Sequence, residues 1–215
     1  MMVLLDLAPL GAAVFAVPQF VPQLRRALRS GDVAGVSWLW AALTSAGNAA
    51  WFVYFALSGY WLALVPAVSA SSMAGLLAMS IGRARCPDRR SVALVIGWAS
   101  LLVGSFGLAG RVGLGTLLSV AFVVQVVPAI WTAYRTQVPT GIAVGTWLLV
   151  LGELSCWGAY GLHRGDGRLA VMGVSGSIAA VLMISRAVTA RRSPIAVGPV
   201  GSAAGKLTAA GETGG

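Results

Sequence analysis

The sequence predicts an all-α membrane protein, a seven-transmembrane-helix bundle of two parallel three-helix repeats joined by a linker helix. Three observations predict this fold class. Hydrophobic residues make up 58% of the chain and charged residues only 10%, against roughly 25% charged residues in a typical soluble domain. The charges cluster between apolar stretches of about 20 residues, the length that crosses a bilayer as a helix. The third observation is an internal repeat at an offset of 106 residues.

The charged segments separate seven apolar stretches. These predicted spans, numbered 1 to 7, cover 4–28, 37–58, 61–82, 91–110, 112–134, 142–162 and 168–188. With seven spans, the loops after spans 1, 3 and 5 share one side with the C-terminal tail, and that side holds twelve basic residues against three. Basic residues accumulate on the cytoplasmic side, so we expect the N-terminus outside and the C-terminus inside a bacterial-type cell membrane. Asp6 and the lack of a basic segment before it argue against a cleaved signal peptide.

Span 1 contains two Pro-Gln pairs one helical turn apart, followed by three arginines. The pairs are Pro18-Gln19 and Pro22-Gln23. A proline inside a helix removes a backbone hydrogen bond, and a membrane helix tolerates this where neighbouring groups can bond the freed carbonyl. The pattern predicts a bending point near one mouth of the bundle, with a static kink as the alternative. The glutamines either satisfy freed carbonyls or cap the cytoplasmic mouth.

The internal repeat aligns 14–80 with 120–186 without a gap and gives 18 identities in 67 pairs. A sequence this rich in small apolar residues should give roughly a tenth by chance. The matched pairs include Gln19 with Gln125, Pro22 with Pro128, Arg29 with Arg135, Trp51 with Trp157, Tyr54 with Tyr160, Gly59 with Gly165, Ser69 with Ser175, and Ser71 with Ser177. Each copy holds three spans, and span 4 gives both copies the same orientation. Parallel repeats of this kind tend to enclose a site at their interface.

The repeat divides the chain into four segments. They are a first repeat at 1–82, a linker with span 4 at 83–110, a second repeat at 111–192 and a tail at 193–215. The tail consists of small residues without periodicity, and this composition predicts disorder.

With these features, the chain resembles the PQ-loop superfamily and specifically its SWEET-type branch. The first copy carries Pro22-Gln23, the basic run up to Arg29, Gly35 and the segment 47–59. The second copy carries Pro128 followed by Ala129 rather than glutamine, then Arg135, Gly141 and the segment 152–165. The resemblance covers about residues 5–190.

The resemblance implies a transporter that moves a small solute by alternating access. It implies that Pro18, Pro22 and Pro128 act as flexing points, with Gln23 and Gln125 beside them at the gates. Relatives of this architecture move sugars, whereas other PQ-loop proteins export amino acids or act as cargo receptors. A non-transporting PQ-loop membrane receptor or scaffold is therefore the alternative function.

Spans 2 and 6 each pair a polar side chain with a tryptophan. Asn48 and Trp51 are three residues apart and Glu153 and Trp157 are four apart, so each pair shares one helix face. An aromatic plate beside a hydrogen-bonding group suits the binding of a polar solute, while helix packing is the alternative. By the resemblance, the two tryptophans match the inward-facing aromatic residues of spans 2 and 6.

Glu153 is the only acid predicted deep in a span. Ionisable residues inside a membrane are functional by default. Three roles remain open at this point: proton coupling, a counter-charge for a cationic or amine substrate, or a structural hydrogen bond in the neutral form.

Serines occupy spans 3 and 7 where the sugar-transporting branch has asparagines. Ser71 and Ser177 are candidates for solute contacts, although runs of small residues also form close helix-packing surfaces. The absence of the asparagines weakens the expectation of a sugar in particular.

Several function classes find no support in the residues. The sequence contains no paired acids, no His/Cys cluster and no nucleophile beside a base, so we expect no enzyme, no metal and no cofactor. The only lysine, Lys206, lies in the tail, which excludes a retinal Schiff base. The net charge of +9 comes without a basic face interleaved with aromatics, so the expected partners are a small solute and the lipid bilayer, not nucleic acid. A homo-oligomer is left open, and His163 is expected to be solvated.

Overall fold

A computed structural model of the chain describes residues 2–30, 37–135 and 144–192. Within these ranges the protein is all-α, as predicted, with seven α-helices and one short 3-10 helix. The helices are α1 (Met2–Asp6), α2 (Ala8–Ser30), α3 (Trp38–Ser58), the 3-10 helix (Trp61–Ala63), α4 (Leu64–Ala84), α5 (Arg89–Arg135), α6 (Val144–His163) and α7 (Gly167–Arg192). The predicted disordered tail, Gly35 and Gly141 lie outside the described residues.

Four of the described helical segments are long and apolar enough to cross a membrane, and they indicate an integral membrane protein. They are Leu4–Val21, Trp61–Ala84, Arg89–Val124 and Gly167–Ala190, with mean hydropathies of 1.7, 1.8, 2.0 and 1.7. Helices α3 and α6 are not among them because Asn48, Glu153 and several tryptophans and tyrosines lower their mean hydropathy. The seven-span topology therefore stays a prediction.

Helix α5 is 47 residues long and breaks at Gly110, whose φ of 57° and ψ of −145° are non-helical. Without the break it would extend about 70 Å, more than twice the hydrocarbon thickness of a bilayer. A Cβ atom on Gly113 would overlap the carbonyl oxygen of Ser105, eight residues earlier and about 12 Å away in a straight helix. The chain thus turns sharply at Gly110, a conformation that glycine adopts at low cost.

The helices form two groups, each of which has one helix packed against the other two. Helix α4 packs against both α2 and α3, and α7 packs against both α5 and α6. The contacts of α2 with α6 and of α3 with α5 connect these two groups. The largest buried cluster lies between them and includes Tyr54, Phe55, Trp157, Tyr160 and Leu169.

Glycines allow α6 and α7 to approach each other closely. A Cβ atom on Gly173 would overlap the backbone of Gly158, and one on Gly161 would overlap the backbone of Ala170. Inside a membrane, where lipid is as apolar as the side chains, such close van der Waals packing is a main source of helix association. This contact fixes the position of α6, which carries two of the candidate site residues.

Asp88 caps the start of α5. Its carboxylate accepts hydrogen bonds from the Ser91 backbone N–H (2.9 Å) and hydroxyl group (2.6 Å), and these bonds hold the pKa of Asp88 below its ordinary value. A lowered pKa in the folded state stabilises the protein above the ordinary carboxyl pKa, and this contribution is lost as the pH falls through the lowered value.

We therefore expect the Asp88→Ala variant to have a lower thermal unfolding midpoint than the wild type at neutral pH. The two midpoints should converge in acid well below the ordinary carboxyl pKa, because the wild-type cap is then protonated. Thermal unfolding followed by circular dichroism across a pH series measures this difference. A difference that persists undiminished in acid would contradict the ionised cap.

Candidate functional site

A cavity of about 640 Å³ lies at the centre of the bundle, within the 300–1,000 Å³ typical of small-molecule sites. Four of the residues singled out from the sequence line it together: Asn48 and Trp51 from α3, and Glu153 and Trp157 from α6. The described lining begins at Ser37, next to the first residue of α3, and continues along that helix to Phe55, near its other end.

Three stacked aromatic rings form one end of the cavity. The centroid of Phe55 lies 5.4 Å from that of Trp51 and 5.1 Å from that of Trp157, with interplanar angles of 23° and 14°. The sequence predicts the two tryptophans as a matched pair, and the structure inserts Phe55 between them. Tyr54 and Tyr160 contact this stack edge-on, so the rings hold one another in fixed orientations.

The carboxyl group of Glu153 is hydrogen-bonded to Gln19 of α2. The Gln19 amide donates to Oε2 at 2.9 Å and also to the Phe15 carbonyl at 3.2 Å. Pro18 frees the carbonyl of Val14 rather than that of Phe15, so this glutamine does not bond the freed carbonyl. It joins α2 to α6 instead. Glu153 also interacts with the side chain of Trp157.

Asn48 and Ser71, two of the other polar candidates, form hydrogen bonds with backbone carbonyls of the helices. The Asn48 amide donates to the Thr44 carbonyl at 2.9 Å, which fixes the orientation of the side chain on α3. Ser71 donates to the Ser45 carbonyl at 3.0 Å, and Ser45 donates in return to the Ser71 carbonyl at 2.9 Å. This reciprocal pair joins α3 to α4 away from the described cavity lining.

Ser177 also lies at a helix contact rather than in the described cavity lining. Its hydroxyl group donates to the Gly173 carbonyl at 2.8 Å and lies 3.3 Å from the hydroxyl group of Ser155 on α6. For both serines, the observed geometry is that of the packing alternative stated above.

The hinge candidates lie in two helices. Helix α2 continues through Pro18, which is exposed, and through Pro22 and Gln23, while Gln125 and Pro128 lie in the second part of α5. The side chains of Pro22, Gln23, Gln125 and Pro128 lie outside the described residues. Their role as flexing points or gates stays a prediction.

A buried hydrogen bond lies beyond the aromatic stack. The Tyr54 hydroxyl group donates to Asp166 Oδ2 at 2.6 Å, and both residues are buried. Asp166 Oδ1 also accepts the backbone N–H groups of Arg168 and Leu169, at 3.1 and 3.3 Å. The carboxylate thus caps α7 and ties it to α3.

A second polar cluster ties α1 to the segment between α6 and α7. Asp6 Oδ1 lies 3.3 Å from His163 Nε2 and 3.7 Å from the Arg164 guanidinium. The side chain of His163 is only 15% exposed, so the expectation of a solvated histidine is wrong. Arg164 lies over the rings of Tyr60 and Tyr160, and its hydrogen bond with Tyr160 raises the pKa of Arg164.

Sequence reasoning missed several aromatic residues that line the cavity. They are Trp40, Phe55, Trp98, Phe122 and Trp147. None of them has an identical partner in the repeat, and Trp98 belongs to the predicted linker, so the internal alignment could not single them out. The signal that could have found Trp40, Trp98 and Trp147 is the number of tryptophans in spans 2, 4 and 6.

Together, the helices and the cavity define an integral membrane protein with an aromatic, centrally placed site. In comparisons with protein-family models, curated proteins and solved structures, no match to this chain was found.

Proposed function

We propose that this protein is a membrane transporter that moves a small polar solute, of sugar or amino-acid size, by alternating access between two triple-helix repeats. The observation that carries the proposal is the cavity of about 640 Å³. It takes Asn48 and Trp51 from one predicted repeat and Glu153 and Trp157 from the other. A site shared between two units becomes accessible from alternate sides when the units rock against each other.

The duplication is supported by two matching helix ends. Gly59 and Gly165, 106 residues apart, have φ values of 71° and 64°. At the first, the Gly59 N–H donates to the Ala56 carbonyl (3.2 Å) and the Tyr60 N–H donates to the Phe55 carbonyl (2.9 Å). At the second, the equivalent bonds run from Gly165 to Leu162 (3.3 Å) and from Asp166 to Gly161 (2.8 Å). Both helices therefore end in the same Schellman-type turn.

The packing order supports the same interpretation. The third helix of each predicted repeat, α4 or α7, packs between the other two. The turn at Gly110 allows 89–109 and 111–135 to cross the membrane separately, as the predicted linker requires. With the excess of basic residues on one side, we propose that the Gly59 and Gly165 turns face outward.

On this orientation, the described conformation corresponds to an inward-facing state. The outer end is closed by the aromatic stack and by the bond from Tyr54 to Asp166. Toward the inner end, the lining extends as far as Ser37. Transport then requires the buried Tyr54–Asp166 bond to break in each cycle.

Solute counterflow tests the proposal. Ligand-induced thermal shifts over sugars, amino acids and amines first identify a solute, and proteoliposomes loaded with that solute are then given a labelled trace of it. We expect protein-dependent accumulation of label above that of empty liposomes. A solute that binds but is never exchanged would contradict transport and favour the receptor or scaffold.

Among single tryptophan variants, Trp51→Ala is expected to weaken solute binding about tenfold, because an aromatic contact of about 1.4 kcal/mol is lost. Trp61→Ala is the matched control, since Trp61 is 69% exposed and does not line the described cavity. Counterflow at varied solute concentration measures the apparent solute affinity of both variants. An equal loss of affinity in both would show that Trp51 is not part of the site.

A further inference from the structure

We propose that the solute is a small organic cation, a primary or quaternary ammonium compound, held by the tryptophan rings of the cavity and the Glu153 carboxylate. This inference rests on the proposed function and narrows its substrate class. Three observations carry it: the aromatic lining, the charge of the lining and the limited supply of free hydrogen-bonding groups.

The cavity concentrates the tryptophans of the protein. Five of the eight in the sequence line it: Trp40, Trp51, Trp98, Trp147 and Trp157. They come from three helices, α3, α5 and α6, so that indole rings lie on several sides of the space. Tryptophan is the aromatic side chain that attracts cations most strongly, and several rings around one space form the sites that recognise quaternary ammonium groups.

The charge of the lining favours the same class. Glu153 is the one charged side chain among the described residues that line the cavity, and none of those residues is basic. Its partner from α2 is the neutral amide of Gln19, which donates a hydrogen bond but supplies no positive charge. Since an ionised group away from water is normally paired with an opposite charge, a cationic solute would provide the missing counter-charge.

The same lining disfavours the other solutes of this size. Anions would meet the Glu153 carboxylate and the negative faces of the rings. A zwitterionic amino acid would place its own carboxylate in the cavity without a basic partner among the described residues. Both arrangements leave a charge unpaired, which is costly away from water.

A sugar would need several hydrogen-bond acceptors for its hydroxyl groups, and the described lining offers few. Besides Glu153 and the indole N–H donors of the tryptophans, the polar side chains of the described lining are Ser37, Thr44 and Asn48. The Ser37 hydroxyl group already accepts the Trp40 backbone N–H, and the Asn48 amide already donates to the Thr44 carbonyl. Sugar hydroxyl groups would therefore lose water without full replacement, whereas a cation requires only the rings and one carboxylate.

Isothermal titration calorimetry on the purified full-length protein tests this class with matched probes. The first pair is choline and its uncharged carbon analogue dimethylbutanol, and the second is ethanolamine and propanol. Glucose and alanine represent the competing classes. We expect at least one cation to bind about tenfold or more tightly than its uncharged analogue. Because the two molecules of a pair have nearly the same shape, this difference measures the effect of the charge.

Two variants locate the interaction. Glu153→Gln should weaken binding of the cation at least about tenfold and leave binding of the uncharged analogue unchanged. Asp88→Asn, the same change from acid to amide at an exposed residue outside the described cavity lining, should leave both unchanged. Trp147→Leu provides a second test if Glu153→Gln fails to fold. This variant should weaken binding of the cation more than it weakens binding of the uncharged analogue.

The outcomes separate this inference from the proposed function. Equal affinity for cation and analogue, or binding of glucose or alanine in place of both cations, would overturn the cationic class. If glucose or alanine binds and is also exchanged in counterflow, the result supports the proposed transport function and contradicts the cationic substrate class. A cation that binds through Glu153 but is not exchanged supports the class and overturns transport.

Discussion

The variant Gly173→Ala is expected to be destabilised by about 1–3 kcal/mol, and by more if the helices must separate. The added methyl group would overlap the backbone of Gly158 across the contact between α6 and α7. Backbone atoms cannot move aside as a flexible side chain can, so the whole helix would have to shift. Thermal unfolding in detergent, followed by circular dichroism, measures the loss.

Gly104→Ala is the matched control because a Cβ atom at Gly104 meets nothing within 4 Å. Alanine has a higher helix propensity than glycine by up to about 1 kcal/mol, so this variant should be as stable as the wild type or more stable. A similar loss in both variants would contradict the close contact. Because Glu153 and Trp157 lie on α6, the destabilised variant should also bind solute poorly.

The variant Tyr54→Phe is expected to lose about 1.5–3 kcal/mol of stability. This is the usual contribution of a hydrogen bond to a charged group, and the bond from Tyr54 to Asp166 is 2.6 Å long and buried. Phenylalanine keeps the ring and its contacts with Trp51 and Phe55, so the variant isolates the hydroxyl group. Chemical denaturation in detergent measures the change.

Tyr134→Phe is the control for Tyr54→Phe. Its hydroxyl group also donates a hydrogen bond, to the backbone carbonyl of Leu182 at 3.2 Å. Tyr134 is exposed, so the loss of this bond should change stability by less than about 0.5 kcal/mol. On the proposed function, Tyr54→Phe should also shift the transporter toward the outward-open state, which a change in the counterflow rate would report. Stability equal to the wild type would show that the Tyr54–Asp166 bond does not hold the closed end.

Much of the candidate site follows from local sequence signals. Asn48 and Trp51, and likewise Glu153 and Trp157, lie on one helix face because of the helical period alone, and each pair lines the cavity. The matching turns at Gly59 and Gly165 follow from a glycine at equivalent positions of the repeat. These predictions depend on residues within a few positions of one another.

The partners of these residues could not be predicted in the same way. Gln19 bonds Glu153 across 134 residues and Tyr54 bonds Asp166 across 112. Such pairs depend on how far each helix is rotated and shifted against its neighbours, and the sequence pattern of one helix does not encode this. The insertion of Phe55 between Trp51 and Trp157 likewise depends on how α3 and α6 are rotated and shifted against each other.

The sequence by itself determined that this chain is an all-α membrane protein with an internal repeat and with polar and aromatic groups on two of its apolar segments. Composition and the helical period carry that information because burial in lipid and hydrogen bonding of the backbone act on each segment separately. Only the tertiary structure decided that Trp98 joins the cavity and that Ser71 lies at a helix contact. Both outcomes depend on helix packing, which brings together residues that are distant in the chain.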